Sequence, residues 1–242
     1  SWQELLTYGG FPEPFSMQSE NKTRRWQRLY RERMIQQDLR DLHEVRNIRL
    51  IESLALLLQD RACSQLSFES LRQDLSSSFD SIQRWIQSLE ALYYCYLLRP
   101  YSKDIKYSLK KEPKIFLFDW SLVSNEGSRF ENMIAGHLLK SCHAWTDCAM
   151  GEFDLHYIRD KQKREVDFLI TNNKKPWALI EVKSGQTTPT PALIHYKNPI
   201  AHGQRFFLIM RDKNESDAKT LLQFPQFVLH VRAQLQVQRR QG

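Results

Sequence analysis

Apolar residues recur at three- and four-residue intervals through the first 60 positions and again over 128–142, but at every second position from 165 to 183. The first spacing is that of amphipathic helices and the second that of strands. After a GGFPEP turn, Trp26, Leu29, Tyr30 and Met34, and later Leu54, Leu57 and Leu58, predict helices within 1–60. Further on, Ser67 suits the N-cap of a short helix FESLRQDL, SSSF makes a turn, and DSIQRWIQSLEAL follows with Ile82, Trp85, Ile86 and Leu89 on its inner face. YYCYLLRPYS and KIFLFD, separated by a basic loop, read as paired strands.

Two helices followed by two paired strands form a winged-helix arrangement at about 62–118. The C-terminal half carries a different order. SRFENMIAGHLLKSC places Phe130, Met133, Ile134, Leu138 and Leu139 at helical intervals with Ser128 as N-cap. FDLHYIR (153–159), EVDFLIT (165–171) and WALIEVK (177–183) read as strands, a helix is expected near 190–198, and RFFLIM (205–210) is a further strand. Val166, Phe168 and Ile170 alternate with Glu165, Asp167 and Leu169, and Ala178, Ile180 and Val182 alternate with Leu179, Glu181 and Lys183. Both strands are thus expected to be half buried.

TNNKKP between them suits a short hairpin. A hairpin centred near Lys174 pairs residues whose numbers sum to 348, so Asp167 faces Glu181, with Lys183 on the same face one pleat further. Cross-strand Cβ atoms lie roughly 4.5–5.5 Å apart, close enough for two carboxylates to share one cation. Without a cation the two would repel. Divalent cations take oxygen ligands, and a phosphodiester needs one to neutralise charge developing on its oxygens. Lys183 would orient a water or steady that charge. E-x-K on a solvated strand is more often a surface ion pair, and it is the aspartate at matching depth that raises the functional reading. Glu131, in the first turn of its expected helix, is favoured there by the macrodipole alone.

Helix, three antiparallel strands, helix, strand resembles the core of the PD-(D/E)XK nuclease superfamily. Asp167, thirteen intervening residues, then Glu181-Val182-Lys183 is similar to that superfamily's motif, with Glu131 matching the acidic residue of its first helix. YGGFPEP, the Arg-rich segment ending near RDL, YSLKKEPKIFLFDWSL, GSRFEN, YIRDKQKREVDF and IEVKS together resemble a domain of unknown function that forms the C-terminal part of bacterial and archaeal AAA+ type ATPases. Ser121 stands where that family commonly has glycine, so the local turn is expected to differ. The resemblance implies an ATP-binding module ahead of residue 1 as partner. No G-x-x-x-x-G-K-[ST] run occurs here, so no Walker loop for ATP is expected in this chain. Opening at Ser1 without methionine, the chain reads as a piece of a longer product. The resemblance also implies Mg²⁺ or Mn²⁺ held by Glu131, Asp167, Glu181 and the Val182 carbonyl, and Lys183 positioning the attacking water on DNA.

In a winged helix the second helix can enter a major groove, which would place Ser81, Gln83, Arg84 and Gln87 at base edges, with Lys103, Lys106, Lys110 and Lys111 on the wing near phosphates. Winged helices serve equally as protein-docking units. The segment 24–49 holds eight arginines and no lysine, interspersed with Glu32, Asp38, Asp41 and Glu44, and reads first as a solvated face or a contact with the ATPase module. His195 and Tyr196 follow the EVK strand, where capping or core-edge roles are favoured. Glu165 reads as a second carboxylate near the site or as an ion-pair partner of Arg159, Lys163 or Arg164.

The 242 residues carry 35 basic and 28 acidic side chains, a net charge of +7, which favours phosphate polymers without establishing that partner. Hydrophobic content of 41% and aromatic content of 12% argue against disorder. No apolar run reaches the roughly 20 residues that span a bilayer, so no membrane is expected and a cytoplasmic location is. Cys63, Cys95, Cys142 and Cys148 lack C-x-x-C spacing and read as reduced, mostly buried thiols, a zinc role for Cys142, His143 and Cys148 being disfavoured. The expected fold is α/β: a helical and winged-helix half (1–118) before a restriction-endonuclease-like αβββαβ core (119–242). The expected function is metal-dependent DNA phosphodiester hydrolysis. The alternative is a non-catalytic DNA- or protein-binding module regulating the ATPase.

Overall fold

A computed structural model describes residues 1–38, 48–102, 111–184, 190–200 and 205–211. They fall into two compact units. The N-terminal unit holds the described residues of 3–99 and 111–136, and the C-terminal unit holds Ser1, Trp2, 100–102 and the described residues from His137 onward.

The N-terminal unit takes α1 (Trp2–Tyr8) from Gln3 onward, then α2 (Pro12–Met17), α3 (Glu20–Arg33), a π-helical turn (Met34–Asp38) and α4 (Ile48–Asp60). On α4 the residues Ile51, Leu54, Ala55 and Leu58 are fully buried, the i, i+3, i+4, i+7 face that a helix turns to a core. Arginines of α3 pair along the helix, Arg24 with Glu20 at 3.0 Å and Arg28 with Glu32 at 3.8 Å, and all four side chains are solvated. Such pairs contribute well under about 1 kcal/mol each.

The GGFPEP turn and the DWSL segment meet in this unit. Gly9 has φ +82°, and a Cβ there would lie 2.6 Å from Asp119 Oδ1; one on Gly10 would lie 2.5 Å from the Trp120 ring. Trp120 Nε1 donates to the Leu5 carbonyl at 2.8 Å. Trp120–Leu122 form a 3₁₀ turn capped by Asp119, whose Oδ1 accepts from the Ser121 amide and hydroxyl. Gln27 Nε2 donates to Ser121 Oγ at 2.8 Å and lies 3.4 Å from Asp119 Oδ2. Ser121 lies outside the positive-φ residues, so this turn requires no glycine, and the serine hydroxyl supplies bonds that a glycine would lack.

Burial pushes the Asp119 carboxyl up, partly offset by its bonds to Ser121 and Gln27 and by the charge of Arg129. A raised folded-state value means that the folded chain binds the proton more tightly than the unfolded one. Its stabilising contribution is therefore present below the unfolded value of about 3.9 and is lost as pH rises through the folded value. Asp119→Asn, which keeps the Oδ1 acceptor, is expected to unfold at higher urea than wild type at pH 7, and at the same urea near pH 3. Urea midpoints across that range check it; a variant less stable at pH 7 would contradict the sign.

Next come α5 (Phe68–Asp74) and α6 (Phe79–Ala91), capped by Ser67 and Ser78, whose hydroxyls accept from the amides of Ser70 and Ser81. Ile82, Ile86 and Leu89 of α6 are buried as the spacing predicts, and Trp85 is half-buried. β1 (Cys95–Leu98) pairs antiparallel with β2 (Lys114–Leu117), from Cys95 opposite Leu117 to Leu98 opposite Lys114. The outer edge of β2 is filled by the chain itself. Ile115 bonds to Ser64 and Cys63 through its amide and carbonyl, and Gln65 bridges to Lys114.

Helix α7 (Glu126–Asp147) begins earlier than expected. Asn125 Oδ1 accepts from the Ser128 amide at 2.9 Å, so Ser128 lies inside the helix rather than capping it. Glu131 stands in the second turn, where the macrodipole no longer favours a carboxylate.

In the C-terminal unit β3 (Phe153–Arg159), β4 (Glu165–Asn172), β5 (Lys175–Ser184) and β6 (Arg205–Arg211) form one sheet in the order β3-β4-β5-β6. The first three are antiparallel, β6 runs parallel to β5, and α8 (Pro191–Ile200) connects these two. Asn173 and Lys174 both have positive φ, 50° and 63°, the signature of a two-residue type I′ hairpin. Holding a non-glycine residue in the left-handed region costs about 1–2 kcal/mol.

The strands are buried on both faces rather than half buried. Phe168 and Ile170 on one side, and Leu169 and Leu179 on the other, are each at most 1% exposed. Ala192 and Leu193 of α8 pack against Leu169 and Leu179, a cover that strand alternation alone does not reveal. Among the described residues no helix is long and apolar enough to cross a membrane.

Candidate functional site

Asp167 and Glu181 meet because of two compensating irregularities. The tight turn pairs Asn172 with Lys175 and Thr171 with Pro176, numbers that sum to 347; a bulge that accommodates Trp177 then shifts the register, and Ile170–Ala178, Leu169–Leu179 and Phe168–Ile180 sum to 348. Continuing that register sets Asp167 against Glu181. An unbulged hairpin would have paired Asp167 with Ile180, and a one-residue slip carries every side chain to the other face.

At that end of the sheet Asp167 Oδ2 accepts from the Val182 amide at 2.8 Å. Glu181 is buried, 2% exposed, and both of its oxygens are engaged: Oε1 lies 3.2 Å from Lys183 Nζ, and Oε2 accepts from the Thr190 amide at 3.0 Å. Thr190 Oγ1 in turn accepts from the Leu193 amide. It is the N-cap of α8, with Pro191 as the first helical residue, so the positive end of that helix faces the Glu181 carboxylate. Thr-Pro ahead of an apolar run is a helix-start signal, and Thr190-Pro191 carries it here.

The structure thus brings together Asp167, Glu181, Val182 and Lys183. Glu131 belongs to the N-terminal unit, where its Oε1 lies 3.2 Å from Nζ of the buried Lys114. Beside it the buried Asn132 accepts from the Leu117 amide at 2.9 Å and donates to the Leu117 carbonyl at 2.7 Å. Among the described residues no group of three or more His, Cys, Asp or Glu side chains is arranged to hold a metal ion. Asp167 and Glu181 nevertheless suit a hard cation such as Mg²⁺, which takes one or two carboxylates and keeps its other positions for water and phosphate.

The neighbouring polar residues form a network of their own. Arg159 Nη1 lies 2.7 Å from Glu165 Oε2, one of the ion pairs expected for that carboxylate. Arg164 Nε donates to Asp160 at 2.6 Å, and Arg164 Nη1 lies 3.3 Å from His195 Nδ1. Desolvation pushes the Asp160 carboxyl up, but the bonds from Arg164 and Tyr196 outweigh it and hold it at about 2. Burial and the Asp160 charge push the Tyr196 hydroxyl up to about 12.

Of the residues expected at base edges, Gln83, Arg84 and Gln87 are exposed on α6, while Ser81 is half-buried and accepts from the Ser78 hydroxyl at 2.8 Å. Lys103, Lys106 and Lys110 lie outside the described residues, and Lys111 is half-buried just before β2. Cys63, Cys95 and Cys142 are buried and Cys148 is exposed, none of them in a disulfide; burial, with a contribution from Asp154, pushes the Cys142 thiol up to about 12.

Residues 1–129 match a family described as a domain of unknown function, DUF8612, and residues 126–227 match a second, DUF4143. DUF4143 is often found in AAA-ATPase-associated proteins. The chain is 24% identical over 206 residues to the uncharacterized protein MJ1544 of Methanocaldococcus jannaschii, a match covering 81% of this chain and 45% of that protein. It therefore spans less than half the length of the curated relative it matches. No solved structure matches the chain.

Proposed function

The chain belongs to the family of the domain of unknown function DUF8612, and from that premise we propose that it is a divalent-metal-dependent DNA phosphodiester hydrolase module working beside an AAA+ type ATPase module. What carries the reading is one observation: on adjacent antiparallel strands Asp167 bonds to the Val182 amide, and the buried Glu181 is held by Lys183. The element order from α7 to β6, helix, three antiparallel strands, helix and parallel strand, supports a PD-(D/E)XK-like core around that site. The occurrence of DUF4143 in ATPase-associated proteins supports the partner.

In this reading Asp167, Glu181 and the Val182 carbonyl hold Mg²⁺ or Mn²⁺. The bound ion would supply charge neutralisation at the phosphate and a more acidic water. Lys183 orients the attacking water and donates to the phosphate oxygen on which charge builds. Thr190 and the α8 N-terminus hold the Glu181 carboxylate in place. Glu131 keeps its pairing with Lys114 and has no step assigned to it.

For the N-terminal unit we propose a winged helix that contacts DNA. Helices α4 to α6, the bridge at Gln65 and the β1–β2 ribbon follow each other in that fold's order, and Gln83, Arg84 and Gln87 stand exposed on α6.

A second reading, a non-catalytic module that binds DNA or protein for the ATPase, is favoured by the fact that Glu181 has both oxygens satisfied within the chain. Calorimetric titration of wild type and Asp167→Asn with Mn²⁺ separates the two. The hydrolase reading expects one saturable site in wild type, weakened at least tenfold in the variant. No site in wild type, together with no cleavage of single- or double-stranded DNA, would leave the binding module.

A further inference from the structure

We propose that the tip of the β3–β4 hairpin grips the phosphate backbone of a nucleic acid through Lys161 and Lys163, at the end of the sheet where Asp167 and Glu181 stand. The inference deepens the hydrolase reading by naming the contact that would hold its substrate, but it concerns binding alone.

The tip is a built turn. The Asp160 amide donates to the Arg164 carbonyl at 3.1 Å, the Lys163 amide to the Asp160 carbonyl at 3.2 Å, and the Arg164 amide to Asp160 Oδ1 at 2.9 Å. Lys163 has φ +62°. This is a type I turn followed by one left-handed residue, the three-residue hairpin loop in which glycine is favoured at the left-handed position. The chain keeps a lysine there, against the backbone's preference.

The charges of the turn divide into paired and unpaired. Arg159 is taken by Glu165 and Arg164 by Asp160. Lys161 and Lys163 are exposed and have no carboxylate at ion-pair distance among the described residues. Tyr196 bonds to Asp160, and His195 meets Arg164, so the turn is tied to α8. The anchored turn spares the backbone its ordering cost when the two cations meet an anion. At about 3.4 Å per residue of extended chain, Lys163 and Lys161 lie no more than roughly 14 and 20 Å from Asp167, less than the ~34 Å of one duplex turn. One duplex can therefore touch the lysines and the carboxylates at once.

The hairpin at the other end of β4 supplies an internal control, since Lys174 is also left-handed and exposed but stands away from the site. Binding of a short fluorescent duplex to the full chain in EDTA is measured by anisotropy at several salt concentrations. Lys161→Gln/Lys163→Gly is expected to bind roughly tenfold more weakly with a salt slope lower by about 2, at an unfolding temperature no lower than wild type. Lys174→Gly, with the same backbone relief, is expected to bind like wild type.

Wild-type affinity in the double variant, an equal loss in Lys174→Gly, no duplex binding by wild type, or displacement of the duplex by polyglutamate at equal charge would each overturn the proposal; the last would assign the tip to an acidic protein. Binding through the lysines without cleavage in Mg²⁺ would sink the hydrolase reading and leave this one standing.

Discussion

Lys183→Met is expected to lower the rate of Mn²⁺-dependent duplex cleavage by about 10²–10³-fold, the usual loss when one donor to a developing oxyanion is removed. The same change leaves the Glu181 carboxylate, 2% exposed, with the Thr190 amide as its remaining bond partner at the site. Removing one partner of a largely buried pair strands the other, and the partial exposure of Lys183 reduces that cost to roughly 2 kcal/mol. Metal-free Lys183→Met should therefore unfold at lower urea than wild type. Saturating Mn²⁺ should restore that stability, since a cation on Glu181 replaces the lost charge, without restoring cleavage. Activity within threefold of wild type would remove the lysine from the chemistry. Equal destabilisation with and without metal would place no cation on Glu181.

The largest expected loss of stability lies in the other unit. Asn132 is fully buried and closes two hydrogen bonds with Leu117, one through each end of its amide. Asn132→Leu would strand an amide and a carbonyl of the main chain, each costing about 1–3 kcal/mol when buried without a partner. The expected sum is about 2–6 kcal/mol, read as a lower urea midpoint at unchanged slope. A loss below about 1 kcal/mol would mean that water or a shifted strand takes over both bonds.

Much of the site is legible in the chain because a strand period of two leaves few choices. Once 165–171 and 177–183 alternate and TNNKKP must turn between them, Asp167 and Glu181 can share a face in few registers. The expected pairing to 348 is the observed one at 168–170, but by a different route: a two-residue turn and a bulge at Trp177, not a symmetric loop. The strands Phe153–Arg159 and Arg205–Arg211 also coincide with their apolar runs.

What escapes the sequence is what depends on distant partners. The cover of α8 over Leu169 and Leu179 turns half-buried strands into fully buried ones. Ser128 looks like a cap until Asn125, three residues earlier, takes the role. The pairing of Glu131 with Lys114 joins positions 17 apart that no local pattern links. Asn132, beside it, had no signal at all: one buried amide in an amphipathic run is invisible until the strand that it serves is in place.

That amide has a consequence for the molecule's behaviour in crowded solution. Ile115 is bonded to Cys63 and Ser64, and Leu117 to Asn132, so the far rim of the small ribbon offers a second molecule no vacant donor or acceptor at either residue. Exposed strand rims recruit one another and seed fibrils. Here growth from the β2 rim is blocked by main chain at Ile115 and by a side chain at Leu117.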